Sequence, residues 1–267
     1  MILPIIIYNK YCNRIGFQEY TTKIKIIKII KIIKMKVLSF SLYGDNPIYT
    51  IGCIKNAQIK KEVFKDWEMW VYHNDTVPQN ILNDLSELNV KLIDTKENNG
   101  FFGSLWRFNP ITEPNVEYFI SRDCDSRISL RDEIAVNEWI QSDKTFHILR
   151  DHPIGHGWPM NAGMWGSKGN SIPNFKDLMI NYLINNNRTD DKSIDQCFLR
   201  DIIHPIAVNG LFLHDEYFNY ERIGQSIKRD RSIDDFAFIG ESVDENDIPR
   251  GDQRSSIIND YNAKRHG

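Results

Sequence analysis

From Val37 onward, short apolar runs alternate with stretches whose apolar residues recur at helical spacing. The runs at 37–42, 68–73, 90–93 and 146–149 read as strands, as does Glu117-Tyr118-Phe119-Ile120-Ser121. A further apolar triplet is Leu211-Phe212-Leu213. Between them, 48–64 reads as a helix, and a second helix opens after Pro78 with Ile81, Leu82, Leu85 and Leu88 on one face. A third spans 130–140, capped by Ser129 with Asp132 at its third position. The spacing of Phe175, Leu178, Met179, Tyr182 and Leu183 predicts a fourth, and another holds Asp195-Gln196. Strands interleaved with helices of this length predict an α/β fold: a mostly parallel, doubly wound central sheet flanked by helices, in one domain. Residues 98–108 form a Gly-rich aromatic connection, 151–166 a loop rich in Gly, His and Trp, and the chain beyond Arg222 turns polar and acidic toward a frayed end.

Residues 1–34 break this pattern. They are rich in Ile, with an Ile-Ile-Lys repeat whose period of three drifts around a helix and leaves no steady apolar face. Met35-Lys36, running directly into the first strand, looks like a normal start, so 1–34 reads as a low-complexity tail, disordered or a misplaced start, and 35–267 as the folded domain. No stretch reads as a secretory signal or a transmembrane segment. The net charge is −3 overall, +6 in residues 1–34, and so −9 in the remainder. A domain that acidic argues against a nucleic-acid partner. Four dispersed cysteines, without a Cys-x-x-Cys pair, fit a reducing, cytoplasmic setting.

The candidate chemistry lies where the fourth strand ends. Asp123 and Asp125 are two residues apart in Ser121-Arg122-Asp123-Cys124-Asp125-Ser126, so both project to one side of an extended segment. Adjacent carboxylates repel unless a cation sits between them, and Mg²⁺ or Mn²⁺ accepts such oxygen donors while keeping positions open for phosphates. Polar clusters at three strand ends, 42–45, 73–76 and 121–125, belong on one edge of the sheet, the edge where open α/β sheets bind nucleotides. Neither a P-loop nor a dinucleotide fingerprint is present, which leaves a metal to supply the counter-charge for a diphosphate. His152 and His156 share a spacing of four, but in a Gly- and Pro-rich loop rather than on a helix that would align the rings.

Over about 35–215 the chain resembles the GT-A glycosyltransferases. The resemblance rests on the Asp-x-Asp element, on Leu105-Trp106-Arg107-Phe108 before it, on Asn161-Ala162-Gly163-Met164-Trp165-Gly166 after it, and on Asp195-Gln196-x-Phe198-Leu199 and the late His214. It is also similar to glycosyltransferases of large DNA viruses of amoebae, which would place it in host cytoplasm. The resemblance implies a GT-A, Rossmann-like fold and a hexosyltransferase that moves a sugar from a nucleotide diphosphate donor, a UDP-sugar by preference, to a glycan or protein acceptor with Mn²⁺ or Mg²⁺. It implies Asp123, Asp125 and His214 at the metal, with Asp123 also reaching the donor ribose or sugar, and Asp195 as the catalytic acid/base if configuration is inverted. Ser41, Tyr43, Asp75, Arg107, Arg122, Asn161, Gly163, Trp165 and Gln196 are the implied nucleotide and sugar contacts, and Trp158 offers a ring that can stack on a sugar. Two other classes share parts of this pattern: a metal-dependent phosphohydrolase, and a carbohydrate-binding protein without catalysis.

Overall fold

The computed structural model describes residues 34–96, 100–186, 192–227 and 236–266. The tail expected at 1–34 lies outside these, Lys34 apart, and the described residues from Lys36 onward fold as one compact unit. Seven strands form one sheet: β1 (Met35–Leu42), β2 (Trp67–His73), β3 (Lys91–Asp94), β4 (Val116–Ser121), β5 (Phe146–Arg150), β6 (Trp165–Lys168) and β7 (Leu211–Asp215), in the order β3-β2-β1-β4-β6-β5-β7. β1 and β2, β2 and β3, and β5 and β7 pair in parallel, whereas β6 runs antiparallel to both β4 and β5. The registers Leu42 opposite His73 and His73 opposite Asp94 bring those strand ends level. β4 joins the same edge, because Arg122 N–H donates to the Ser39 carbonyl at 3.1 Å. The expected mostly parallel α/β sheet is therefore present.

The sequence did not reveal β6. Its first two residues lie inside the Gly-, His- and Trp-rich stretch and include Gly166, where a Cβ would stand 2.6 Å from the Phe119 carbonyl. Pairing with β4 and β5, rather than any local preference, makes it a strand. Trp165 points from it into the core, edge-on to Phe119 at 5.0 Å and Phe108 at 5.4 Å.

Helices α1 (Pro47–Ile59), α2 (Gln79–Glu87), α3 (Leu130–Gln141), α4 (Phe175–Asn186), α5 (Ile194–Phe198), α6 (His204–Ala207) and α7 (Arg254–His266) cover the sheet and its ends. Asn46 caps α1 by accepting Ile48 N–H at 3.0 Å ahead of Pro47, and Ser129 caps α3 through Asp132 N–H at 3.2 Å. α1 is shorter than the predicted 48–64. It stops at Ile59, and Phe64 takes a positive φ of 59° with its N–H on Glu133 at 3.0 Å. Leu38, Phe40, Val71, Ile120 and Trp139 are central to the core on this side. The Gly-rich connection is a 3₁₀ segment, Gly100–Thr112.

The largest departure is at the C-terminus. In place of a frayed end, a described segment, 236–250, crosses the Asp-x-Asp loop and leads into α7. Val243 N–H donates to the Asp125 carbonyl at 2.7 Å, and Arg250 N–H to the Ser242 carbonyl at 2.9 Å. On either flank Asp247 pairs with Lys55 of α1 at 2.6 Å and with Arg127 at 2.7 Å.

Candidate functional site

A cleft of about 520 Å³ opens where β1 and β4 end, and its walls are built from their following turns, the 3₁₀ segment and the start of α5. It gathers six of the expected residues: Ser41, Tyr43, Arg107, Asp123, Asp125 and Asp195. It also presents Asn46, Tyr49, Ser104 and Lys192, which no motif marked. β4 ends at Ser121, and a turn, with Ser126 N–H on the Asp123 carbonyl at 3.4 Å, carries the two acids. Asp123 and Asp125 face the cleft, while the Cys124 thiol turns inward and donates to the Ser41 carbonyl at 3.4 Å.

Arg107 organises the acids. Its guanidinium is buried, contacts the Asp123 carboxylate through one terminal nitrogen and reaches Asp195 at 2.8 Å through the other, so one cation sets two carboxylates relative to each other. Its backbone N–H in turn donates to Ser41 Oγ at 3.0 Å, which ties the 3₁₀ segment to β1. Asp195 opens α5 and accepts its neighbour's N–H from Gln196 at 2.8 Å. Burial raises the Asp195 pKa above the usual carboxylate range, against the opposing pull of Arg107. Burial also raises Asp125, with the charge of Asp123 adding to it, while Ser242 and Arg250 oppose the shift. Tyr43 sits edge-on to Trp106 at 5.9 Å, and burial raises its phenol.

Gly163 belongs to this site from below. A Cβ there would lie 1.8 Å from Asp123 Oδ2, so only glycine leaves room for the carboxylate. The loop that carries it is held by Ala162 N–H on Gln196 at 3.0 Å, by Ser121 Oγ on the Ala162 carbonyl at 2.7 Å, and by Asn161 on the His156 carbonyl at 3.2 Å. Asn161 and Gln196 thus position the floor of the site and do not line the cleft.

Four further expectations are corrected. His214 does not reach the cleft. It is fully buried on β7, with Nδ1 2.9 Å from His147 Nε2 and Nε2 2.8 Å from Glu138, so both ring nitrogens are engaged and it leaves the metal-ligand set. Arg122 is locked inside the fold by a two-point pair with Asp132, at 2.8 and 2.6 Å, and by the Ser121 carbonyl at 2.7 Å. Trp165 is a core ring. Asp75 is exposed in the turn after β2, outside the cleft, and it is its neighbour Thr76 that accepts the N–H of the lining residue Gly44 at 2.7 Å. His152 and His156 serve their own loop: His156 accepts Asp151 N–H at 2.9 Å, and both rings pack on Phe238. Trp158 is half-buried beneath Arg200, whose guanidinium lies 5.3 Å from the ring.

The residues missed are mainly in the C-terminal segment. Ser242 Oγ donates to Asp125 Oδ2 at 2.9 Å, and Arg250 stands 3.6 Å from the same oxygen. They lie more than 115 residues from Asp125 in sequence, and no local spacing connects them.

Among the described residues, no group of three or more His, Cys, Asp and Glu side chains forms a metal-binding cluster. The Asp123 and Asp125 pair nevertheless fits a hard divalent ion. The charge of Asp123 raises the cost of ionising Asp125 at an open cleft, and such ions take few protein oxygens when water and phosphate complete the shell.

No protein-family model and no curated protein sequence matches the chain. Among the solved structures it is similar to, three are each at 14% identity. One is a glycosyltransferase involved in the glycosylation of the major capsid of PBCV-1, at a TM-score of 0.43 with 73% of this chain and 90% of that one covered. Another is residues 1–349 of S. aureus TarS, at 0.41 with 62% and 53% covered. The third is a mannosyltransferase from Pyrobaculum calidifontis in complex with GDP-Man and Mn²⁺, at 0.42 with 66% and 52% covered. This chain therefore spans about half the length of the latter two. Among the described residues no helix is long and apolar enough to cross a membrane. At these identities and TM-scores the structures are a likeness in chain path, and the chemistry of the cleft stands on its own residues.

Proposed function

We propose that this chain is a GT-A-type glycosyltransferase whose cleft holds a nucleotide diphosphate sugar with Mn²⁺ or Mg²⁺ and transfers the sugar to a glycan or protein acceptor. The observation that carries the reading is the convergence of Asp123, Asp125 and Asp195 around Arg107 in one cleft at the strand ends. Tyr43 and Tyr49 supply aromatic surface for a base beside the acids. Asp123 and Asp125 would hold a divalent cation, which would supply Lewis-acid charge for a nucleoside diphosphate leaving group.

The protein's own contribution is positional. Arg107 fixes Asp123 and Asp195 relative to each other, so an acceptor and a donor held by them meet in one orientation. Asp195 keeps its proton to higher pH than a solvated carboxylate, which suits a base that takes the proton of an acceptor hydroxyl in an inverting transfer. In a retaining transfer the same carboxylate orients the donor sugar. A uridine donor is the expectation carried by the resemblance, although Asp75, one of the implied nucleotide contacts, stands outside the cleft.

The test is a panel of nucleotide sugars, with Mn²⁺ present or chelated, read by thermal stabilisation and by release of the nucleoside diphosphate. Mn²⁺-dependent release from one donor supports the reading, and the anomeric configuration of the product, read by NMR, assigns the role of Asp195. Release of inorganic phosphate from model esters, without sugar transfer, would point to a phosphohydrolase.

A further inference from the structure

The C-terminal segment brings a cation to the acids. Arg250 Nη1 stands 3.6 Å from Asp125 Oδ2 and 3.5 Å from Ser242 Oγ, and its guanidinium also meets the side chain of Tyr49, a lining residue of the cleft. It is not a free surface arginine. The turn that carries it is closed by Asp244 N–H on the Ile248 carbonyl at 2.9 Å and pinned on both flanks by Lys55 and Arg127 through Asp247. Yet its side chain is 47% exposed, against 7% for Arg107, so it can turn without disturbing the core.

We propose that Arg250 holds the place of the divalent ion beside Asp125 in the empty site and becomes a phosphate ligand when donor and metal arrive together. The inference rests on the reading of the cleft as a metal and nucleoside diphosphate site. A guanidinium and a divalent cation compete for the same carboxylate, so Arg250 disfavours metal without nucleotide. Once the ion neutralises Asp125, the displaced guanidinium finds its best remaining partner in a diphosphate oxygen, which it can bind through a fork. Binding of metal and nucleotide is thereby coupled through one side chain beside Asp125.

The test is Arg250→Gln and Arg250→Lys, with Mn²⁺ alone and then with UDP or GDP at saturating Mn²⁺, both read by calorimetry on the full chain. For Arg250→Gln, removing a unit charge near Asp125 tightens Mn²⁺ alone by about five- to tenfold. Losing a charged fork to phosphate weakens the nucleotide by about tenfold. The opposite signs are diagnostic, because a merely structural role would weaken both. Arg250→Lys keeps the exclusion of Mn²⁺ and recovers only part of the nucleotide affinity. If the wild type binds Mn²⁺ and a nucleoside diphosphate but Arg250→Gln changes neither, or both in the same direction, this inference is wrong and the reading of the cleft stands. If the wild type binds neither, both fall together.

Discussion

Gly163→Ala tests the cleft through a residue that contributes no chemistry of its own. The added Cβ would lie 1.8 Å from Asp123 Oδ2 and 2.6 Å from its Cγ. An ordinary contact is near 3.4 Å, so the carboxylate must retreat by about 1.5 Å. The Asp123 side chain is 41% exposed and can give way, so the fold should lose only about 1 kcal/mol. What it cannot keep is its contact with Arg107 and its register with Asp125. A displacement on the order of 1 Å at a reacting centre costs roughly a hundredfold in rate. The assay is Mn²⁺-dependent release of nucleoside diphosphate under saturating donor, with a thermal melt on the same sample. Gly157→Ala is the control, since its Cβ would meet Ile154 O at an ordinary 3.5 Å. A Gly163→Ala protein that melts normally and turns over at the wild-type rate refutes the role given to Asp123.

Two further outcomes separate structure from catalysis. His214→Ala removes a buried ring and strips His147 and Glu138 of a partner, so the melting temperature should fall by the equivalent of about 2 kcal/mol while the Mn²⁺ requirement stays unchanged; a weakened Mn²⁺ dependence in a folded protein would restore the ligand role. Burial depresses His156 to about 4 from an unfolded value near 6.5. The unfolded chain then takes up the proton first, so stability present above pH 6.5 is lost as pH falls toward 4, by roughly 3 kcal/mol. Denaturant melts of the wild type and His156→Gln across that window should show the acid slope flattening in the variant, and equal slopes would assign it elsewhere.

The fold was legible where local pattern and tertiary role agree. Apolar runs such as 37–42 and 117–121 are strands buried in the sheet, and Ser129 marks a helix start whose cap is observed. The pair of acids was legible as a motif just past a buried strand, although a turn and not strand alternation carries Asp123 and Asp125 to one cleft. Legibility failed where a residue's partner is distant. Arg122 and Arg107 look alike in sequence, each an arginine close to the acids, but Asp132, ten residues on, buries the first, while Asp195 draws the second into the cleft. His214 follows an apolar triplet as a ligand would, and only the neighbouring strand reveals His147 waiting for it. Ser242 and Arg250 sit in a polar, acidic stretch without periodicity, so nothing local links that segment to Asp125.

The central claim is that Asp125 belongs to a metal and diphosphate centre, and Asp125→Asn tests it most directly. The amide keeps the size of the side chain and can still accept from Ser242, so the fold should survive and the melt should shift little. The charge that holds a cation is gone. Nucleoside diphosphate binding with Mn²⁺ should weaken sharply, and turnover should drop by about a hundred- to a thousandfold, the effect of losing roughly 3–4 kcal/mol of electrostatic stabilisation at a transition state. A folded Asp125→Asn protein that releases nucleoside diphosphate from the donor at the wild-type rate in Mn²⁺ contradicts the account.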